Sequence, residues 1–136
     1  MKRLLFVLAL LTTACNVERP VAYAEPPAGS YESSSAMLQT GDGILPVRTA
    51  AVSKAFFTAA KAPPLIGRFF IPGDYASGVR VAVLSHDLWT QKFGASPEVI
   101  GQEISLNGNS ATVVGIAPRG FNIPNNTLLW TPRSGS

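Results

Sequence analysis

Alternating and clustered apolar positions divide the chain into short strands joined by two short helices. The run VRVAVL at 79–84 sets Val79, Val81 and Val83 against Ala82 and Leu84. Apolar residues at both parities predict a strand buried on both faces. Leu45–Val52 reads as an earlier strand, built on Val47, Thr49 and Val52. QEISL at 102–106 alternates and pairs with ATVVGI at 111–116 across an Asn107-Gly108-Asn109 turn, where Asn and Gly tolerate positive φ. Gly115 interrupts that second strand and marks a bulge or a close contact. Leu128-Leu129-Trp130 closes the series as a short strand.

Two segments carry helical spacing instead. Phe56, Phe57 and Ala60 share one face of a short helix that Ser53 is placed to cap and that Pro63-Pro64 stops. His86–Phe93 forms a second helix, with Ser85 at its N-cap, Gly94 at its end, and Leu88, Trp89 and Phe93 on its buried face. The order strand, helix, loop, strand, helix, two strands, turn, strand predicts an α+β fold. In it a mixed or antiparallel sheet carries both helices on one face. Residues 16–40 show no period and hold Pro20, Pro26, Pro27, Gly29 and Ser33–Ser35, which predicts a flexible tether ahead of a domain at 41–133. Residues 134–136 form a tail.

Charge refines this picture. Of 11 basic residues, Lys2 and Arg3 precede the apolar run Leu4–Leu11, and removing those two leaves nine against eight acidic residues. No clustered basic surface remains, which argues against a nucleic-acid partner. Lys2-Arg3, the apolar run and the small residues up to Ala14 form the three parts of a secretory signal peptide over 1–14. The run is too short to span a bilayer, which takes about 20 residues. The single cysteine, Cys15, stands at the expected cleavage point. The stretch Leu11-Thr12-Thr13-Ala14-Cys15 resembles a bacterial lipobox, although Thr12 stands where Leu is usual. That resemblance implies lipidation at Cys15 and a lipid-anchored tether over 15–40. Two or more acyl chains hold a domain stably at a membrane, at about 0.8 kcal/mol per buried CH₂. Asn16 in place of Asp implies the outer membrane by the same resemblance.

The longer blocks also resemble a known family. VRTAAVSKAFF (47–57), IGRFF (66–70) followed by Asp74, RVAVLSHDLWTQKFG (80–94), PEVIGQEISLNG (97–108), TVVGIAPRGF (112–121) and LWTP (129–132) resemble, in order and spacing, the MacB-like periplasmic core domain of ABC-transporter permeases. The resemblance implies a periplasmic location and contact with a permease, adaptor or other envelope protein. It implies no cofactor and no metal. Such permeases carry four transmembrane helices, and many work with an ATPase. This sequence has no second apolar stretch near 20 residues and no G-x-x-x-x-G-K-[ST] loop. The match to the family domain is therefore partial.

Candidate chemistry is sparse. One histidine, His86, and one cysteine exclude multi-histidine or multi-cysteine metal sites. Ser85, His86 and Asp87 suggest a triad, but neighbours in a helical turn point about 100° apart and cannot form one. No catalytic residue is assigned. Arg68 and Arg119, each in a Gly-containing loop, are candidates for partner or ligand contact, or for bracing their loops. Phe56, Phe57 and Trp89 read as core, with an aromatic ligand platform as the alternative.

The expected function is a non-enzymatic, lipid-anchored interaction domain at the periplasmic face of a membrane, touching a transport or envelope assembly. The alternatives are a small-ligand-binding lipoprotein and a truncated permease without independent function. Mass spectrometry of the mature protein is expected to find an N-terminal peptide beginning at an acylated Cys15. A mature chain with an unmodified Cys15 overturns the anchor.

Overall fold

The computed structural model describes residues 26–133, apart from 28, 42, 77 and 125. The signal peptide, Cys15, Asn16 and the 134–136 tail lie outside the described residues. Among the described residues, seven strands and two α-helices follow one another: β1 (Tyr31–Thr40), β2 (Gly43–Val52), α1 (Phe56–Ala60), β3 (Ile66–Gly67), β4 (Val81–Leu84), α2 (His86–Lys92), β5 (Glu103–Leu106), β6 (Asn109–Ile116) and β7 (Leu129–Pro132). Short 3₁₀ turns sit at Pro72–Tyr75 and Pro97–Val99. The fold is α+β with a mixed sheet, as the pattern predicts.

The sheet goes further than an open layer. Its order is β3-β6-β4-β7-β2-β1-β5, and β5 also pairs with β6. Six strands thus close into a barrel, with β3 attached outside against β6. Pairing is antiparallel in both hairpins, β1–β2 and β5–β6, and parallel for β2–β7 and β4–β6. The Asn107-Gly108 turn has φ of 52° and 84°, the left-handed pair that a two-residue hairpin needs.

Residues 31–40 correct the tether reading. They form the ten-residue strand β1, paired with β2 along its whole length from Tyr31↔Val52 to Thr40↔Gly43. Only Leu38 of β1 is buried. A strand polar on both faces has no hydrophobic alternation to betray it, and its backbone partners on β2 decide its conformation.

Strand alternation sorts the apolar residues into two cores. The inner one takes a residue from every barrel strand, among them Leu38, Val47, Leu84, Ile104, Val113 and Leu129, and α2 adds Leu88 and Trp89. The outer one lies on the β2–β7–β4–β6 side, where Val52, Val83, Val114 and Trp130 meet Phe56, Phe57 and Ala60 of α1. The two helices therefore pack on opposite faces of the sheet, not on one. The reason is the double burial of β4: Ala82 and Leu84 face α2, while Val81 and Val83 face α1.

The caps divide in the same way. Ser85 caps α2 as expected, its hydroxyl accepting from the Leu88 N–H at 3.1 Å. Ser53 does not cap α1, whose N-cap is Ala55 without a side-chain bond. The Ser53 carbonyl instead accepts from the Phe56 N–H at 3.1 Å. Both buried tryptophans satisfy their indole N–H groups, Trp89 on the Ser96 carbonyl and Trp130 on the Ile123 carbonyl, each at 2.9 Å.

Gly115 proves to be both a bulge neighbour and a close contact. Register slips between Ala82 and Val83 on β4, so Val114 is the extra residue on β6. Gly115 stands opposite Gly67 of β3, and a Cβ on it would lie 2.0 Å from the Arg68 carbonyl oxygen. Backbone cannot yield there as a flexible side chain would. Gly115→Ala is expected to lose about 1–3 kcal/mol in urea unfolding. Gly73→Ala, with nothing within 4 Å of its Cβ, should stay within about 0.5 kcal/mol.

Candidate interaction face

The approach of Gly67 to Gly115 seats the following loop on the outside of the barrel. Gly67 adopts a left-handed φ of 75°, and the Arg68 N–H bonds the Val114 carbonyl at the bulge, at 2.9 Å. From there the chain runs Phe69-Phe70-Ile71 into the 3₁₀ turn, with Pro72 at its first position. Asp74 is 6% exposed, and one carboxylate oxygen serves two donors. It accepts from the Ile71 N–H at 2.9 Å and from Arg68 Nη1 at 2.8 Å. Arg68 Nη1 also donates to the Phe69 carbonyl at 3.0 Å. The charge pair fixes the loop at both ends.

That clamp aims aromatic rings at α1. Phe69 stacks on Phe57 with centroids 3.9 Å apart and planes 13° apart. Phe70 meets Phe57 edge-on at 5.8 Å and Tyr75 at 6.1 Å. Such pairs contribute roughly 0.5–1.5 kcal/mol each beyond area burial. Tyr75 donates its hydroxyl to the Ser53 carbonyl at 3.3 Å. Burial, with the Asp74 charge as the smaller cause, pushes the Tyr75 hydroxyl up to about 12 from its ordinary 10.0, so it stays a neutral donor.

A shallow hollow of about 340 Å³ lies over these rings, lined by Lys54, Phe57, Lys61, Phe69, Phe70 and Tyr75. Phe69 and Phe70 are half-buried, while Lys54 and Lys61 are exposed. Lys54 Nζ stands 6.0 Å from the Tyr75 ring centroid, at the limit of a cation–π contact. Lys61 closes α1 in a left-handed conformation, its N–H reaching the Phe57 and Thr58 carbonyls. Neither lysine forms an ion pair among the described residues.

The second candidate loop reaches the same rings from the other side. The turn at Pro118–Phe121 closes with the Phe121 N–H on the Pro118 carbonyl at 3.0 Å. Phe121 packs against Phe57 at 5.9 Å and Trp130 at 5.3 Å. The loops carrying Arg68 and Arg119 therefore converge on Phe57, with Arg119 exposed and Arg68 partly held by Asp74. Lys54, Lys61, Phe70 and Tyr75 were not singled out from the sequence. The aromatic density of Phe69, Phe70 and Tyr75 around a Pro-Gly turn was the available signal.

The Ser85-His86-Asp87 group does not assemble a triad. The Ser85 hydroxyl serves the α2 cap, and the His86 ring stands edge-on to Trp89 at 5.7 Å. No group of three or more His, Cys, Asp or Glu among the described residues is placed to hold a metal. No described helix is long and apolar enough to cross a membrane.

A closed mixed barrel with one aromatic face and a loop clamped by an Arg–Asp pair defines the class of domain. The chain belongs to the MacB-like periplasmic core domain family, whose model matches residues 6–135. The match begins well ahead of Gly41 and takes in β1. The periplasmic region of MacB from Actinobacillus actinomycetemcomitans is similar, with a TM-score of 0.64 and 19% identity over 91% of this chain and 55% of that one. The extracellular domain of the noncanonic ABC-type transporter YknZ from Gram-positive bacteria also has a TM-score of 0.64, with 17% identity over 76% of this chain and 52% of that one. The chain spans about half the length of these solved domains. No curated protein matches significantly.

Asp74→Ala removes both the partner of Arg68 and the acceptor of the Ile71 N–H. It is expected to cost about 2–3 kcal/mol in urea unfolding. Asp74→Asn, which keeps an acceptor for Ile71, should cost less. Equal losses from the two variants would place the whole effect in the charge.

Proposed function

We propose that this chain is a non-enzymatic contact domain on the periplasmic face of a bacterial membrane, held there by lipid on Cys15. The family supports the periplasmic location, and the solved domains of similar fold are the periplasmic or extracellular parts of transporters. The lipobox-like stretch before Cys15 supports the anchor, and Asn16 favours the outer membrane. The partner is a permease, an adaptor or another envelope protein.

One observation carries the contact reading. The half-exposed Phe69 and Phe70 share a shallow hollow with two exposed lysines, Lys54 and Lys61, on a surface braced by the Arg68–Asp74 pair. Protein interfaces favour aromatic anchors, with charge at the rim. The bracing by Arg68 and Asp74 lowers the entropic cost of presenting those rings. Arg119 extends the cationic rim on the Phe121 side.

A photo-crosslinking amino acid at the exposed Thr58 tests this in intact envelopes. It is expected to capture a defined envelope protein, and Lys54→Glu with Lys61→Glu is expected to cut capture about tenfold while thermal unfolding stays unchanged. Capture of nothing, or capture indifferent to the charge reversal, sinks the assignment of this face.

A further inference from the structure

The barrel is plugged by apolar side chains at the α2 end, and its other end is different. Along β2 the inward positions run Val47, Thr49, Ala51, and along β7 they run Leu129, Thr131. Small and polar residues thus replace large apolar ones toward the mouth. A cavity of about 280 Å³ results, lined among others by Ser34, Thr49, Arg80, Asn109 and Thr131. An adjoining hollow of about 180 Å³ shares Arg80, Asn109 and Thr131 with it.

A buried hydroxyl and an exposed guanidinium line this cavity together. Thr49 is 6% exposed, and its hydroxyl has no hydrogen-bond partner among the described residues. Buried hydroxyls in folded proteins nearly always have one, and leaving one unpaired is costly. Arg80 forms no ion pair or side-chain hydrogen bond among the described residues either. Glu32, an acid on the same side of the sheet opposite Ala51, makes no ion pair with it. A guanidinium without an acid, beside hydroxyl and carboxamide donors in a concave site, has the chemistry of an oxyanion receptor. The volume lies just below the range of about 300–1,000 Å³ usual for small-molecule sites.

We propose that the open end of the barrel binds a small ligand through a carboxylate or phosphate group. Arg80 takes the oxyanion in a forked contact, and the hydroxyls of Thr49 and Thr131 and the carboxamide of Asn109 complete its shell. The site is separate from the aromatic face and does not depend on the contact reading.

NMR titration of the ¹⁵N-labelled full chain with sodium phosphate and, separately, sodium acetate, at constant ionic strength, tests it. Saturable shifts are expected at the Thr49, Asn109 and Thr131 amides. Arg80→Gln is expected to weaken binding roughly tenfold, the loss of one charge-assisted contact. Thr49→Val should weaken it as well and yet raise the thermal midpoint, because it removes an unpaired hydroxyl. A response to phosphate alone assigns a phosphate ligand, to acetate alone a carboxylate, and to both the shared oxyanion chemistry. No saturable shift with either salt overturns the site. So does binding within twofold of wild type in both variants, or a Thr49→Val midpoint below wild type.

Discussion

Six strands close around one core because the β5–β6 hairpin touches two neighbours. Its β6 arm lies along β4, and its β5 arm meets β1 over a short register, Leu38↔Leu106 and Gln39↔Ser105. Asn107 at the hairpin turn extends that seam with both its backbone and its side chain. Its N–H donates to the Met37 carbonyl at 2.9 Å, and its Oδ1 accepts from the Met37 N–H at 2.8 Å. A side chain here imitates the next residue of a strand. Closure removes a pair of sheet edges and sets an inside against an outside. The inner core, the outer aromatic face and the polar mouth all follow from that division.

The outside is covered over only part of its circumference. Beside β4 and β6, a second backbone contact decides what covers it. Gly67 and Gly115 let β3 approach the bulge at Val114, and from that point the chain can return across α1. Arg68 and Asp74 then hold the loop at the height where Phe69 stacks on Phe57. The ion pair acts on geometry more than on stability, because an exposed guanidinium gains little from a Coulomb contact. What it secures is the orientation of rings that are half open to solvent.

The elements with strong local signals were legible in the sequence. Val81–Leu84 is a strand buried on both faces, although Val79 and Arg80 ahead of it are exposed and outside it; Ser85 caps α2 and Asn107-Gly108 turns the hairpin, because each rests on a local pattern or backbone preference. β1 was not legible: Glu32–Ser35 offer no apolar alternation, and the strand exists through its pairing with β2. The cap expected of Ser53 failed because α1 starts at Phe56 with Ala55 at the N-cap, which leaves Ser53 two residues too early for its hydroxyl to serve the first turn. Arg68 and Arg119 stood out in the sequence, yet nothing local says that Asp74 holds one of them or that both loops meet at Phe57.

Composition and local order thus determined the element types apart from β1 and β3, the near-neutral domain behind a basic N-terminus, and the family blocks from Val47 to Pro132. Tertiary structure alone decided which face each helix covers, because β4 is apolar on both sides and either helix could satisfy either side. It also decided that the sheet closes, since closure depends on pairings between residues as far apart as Met37 and Asn107. The mouth of the barrel belongs to the same class. Thr49 looks like an ordinary strand residue until closure turns it inward, where it lines the cavity and its hydroxyl has no partner among the described residues.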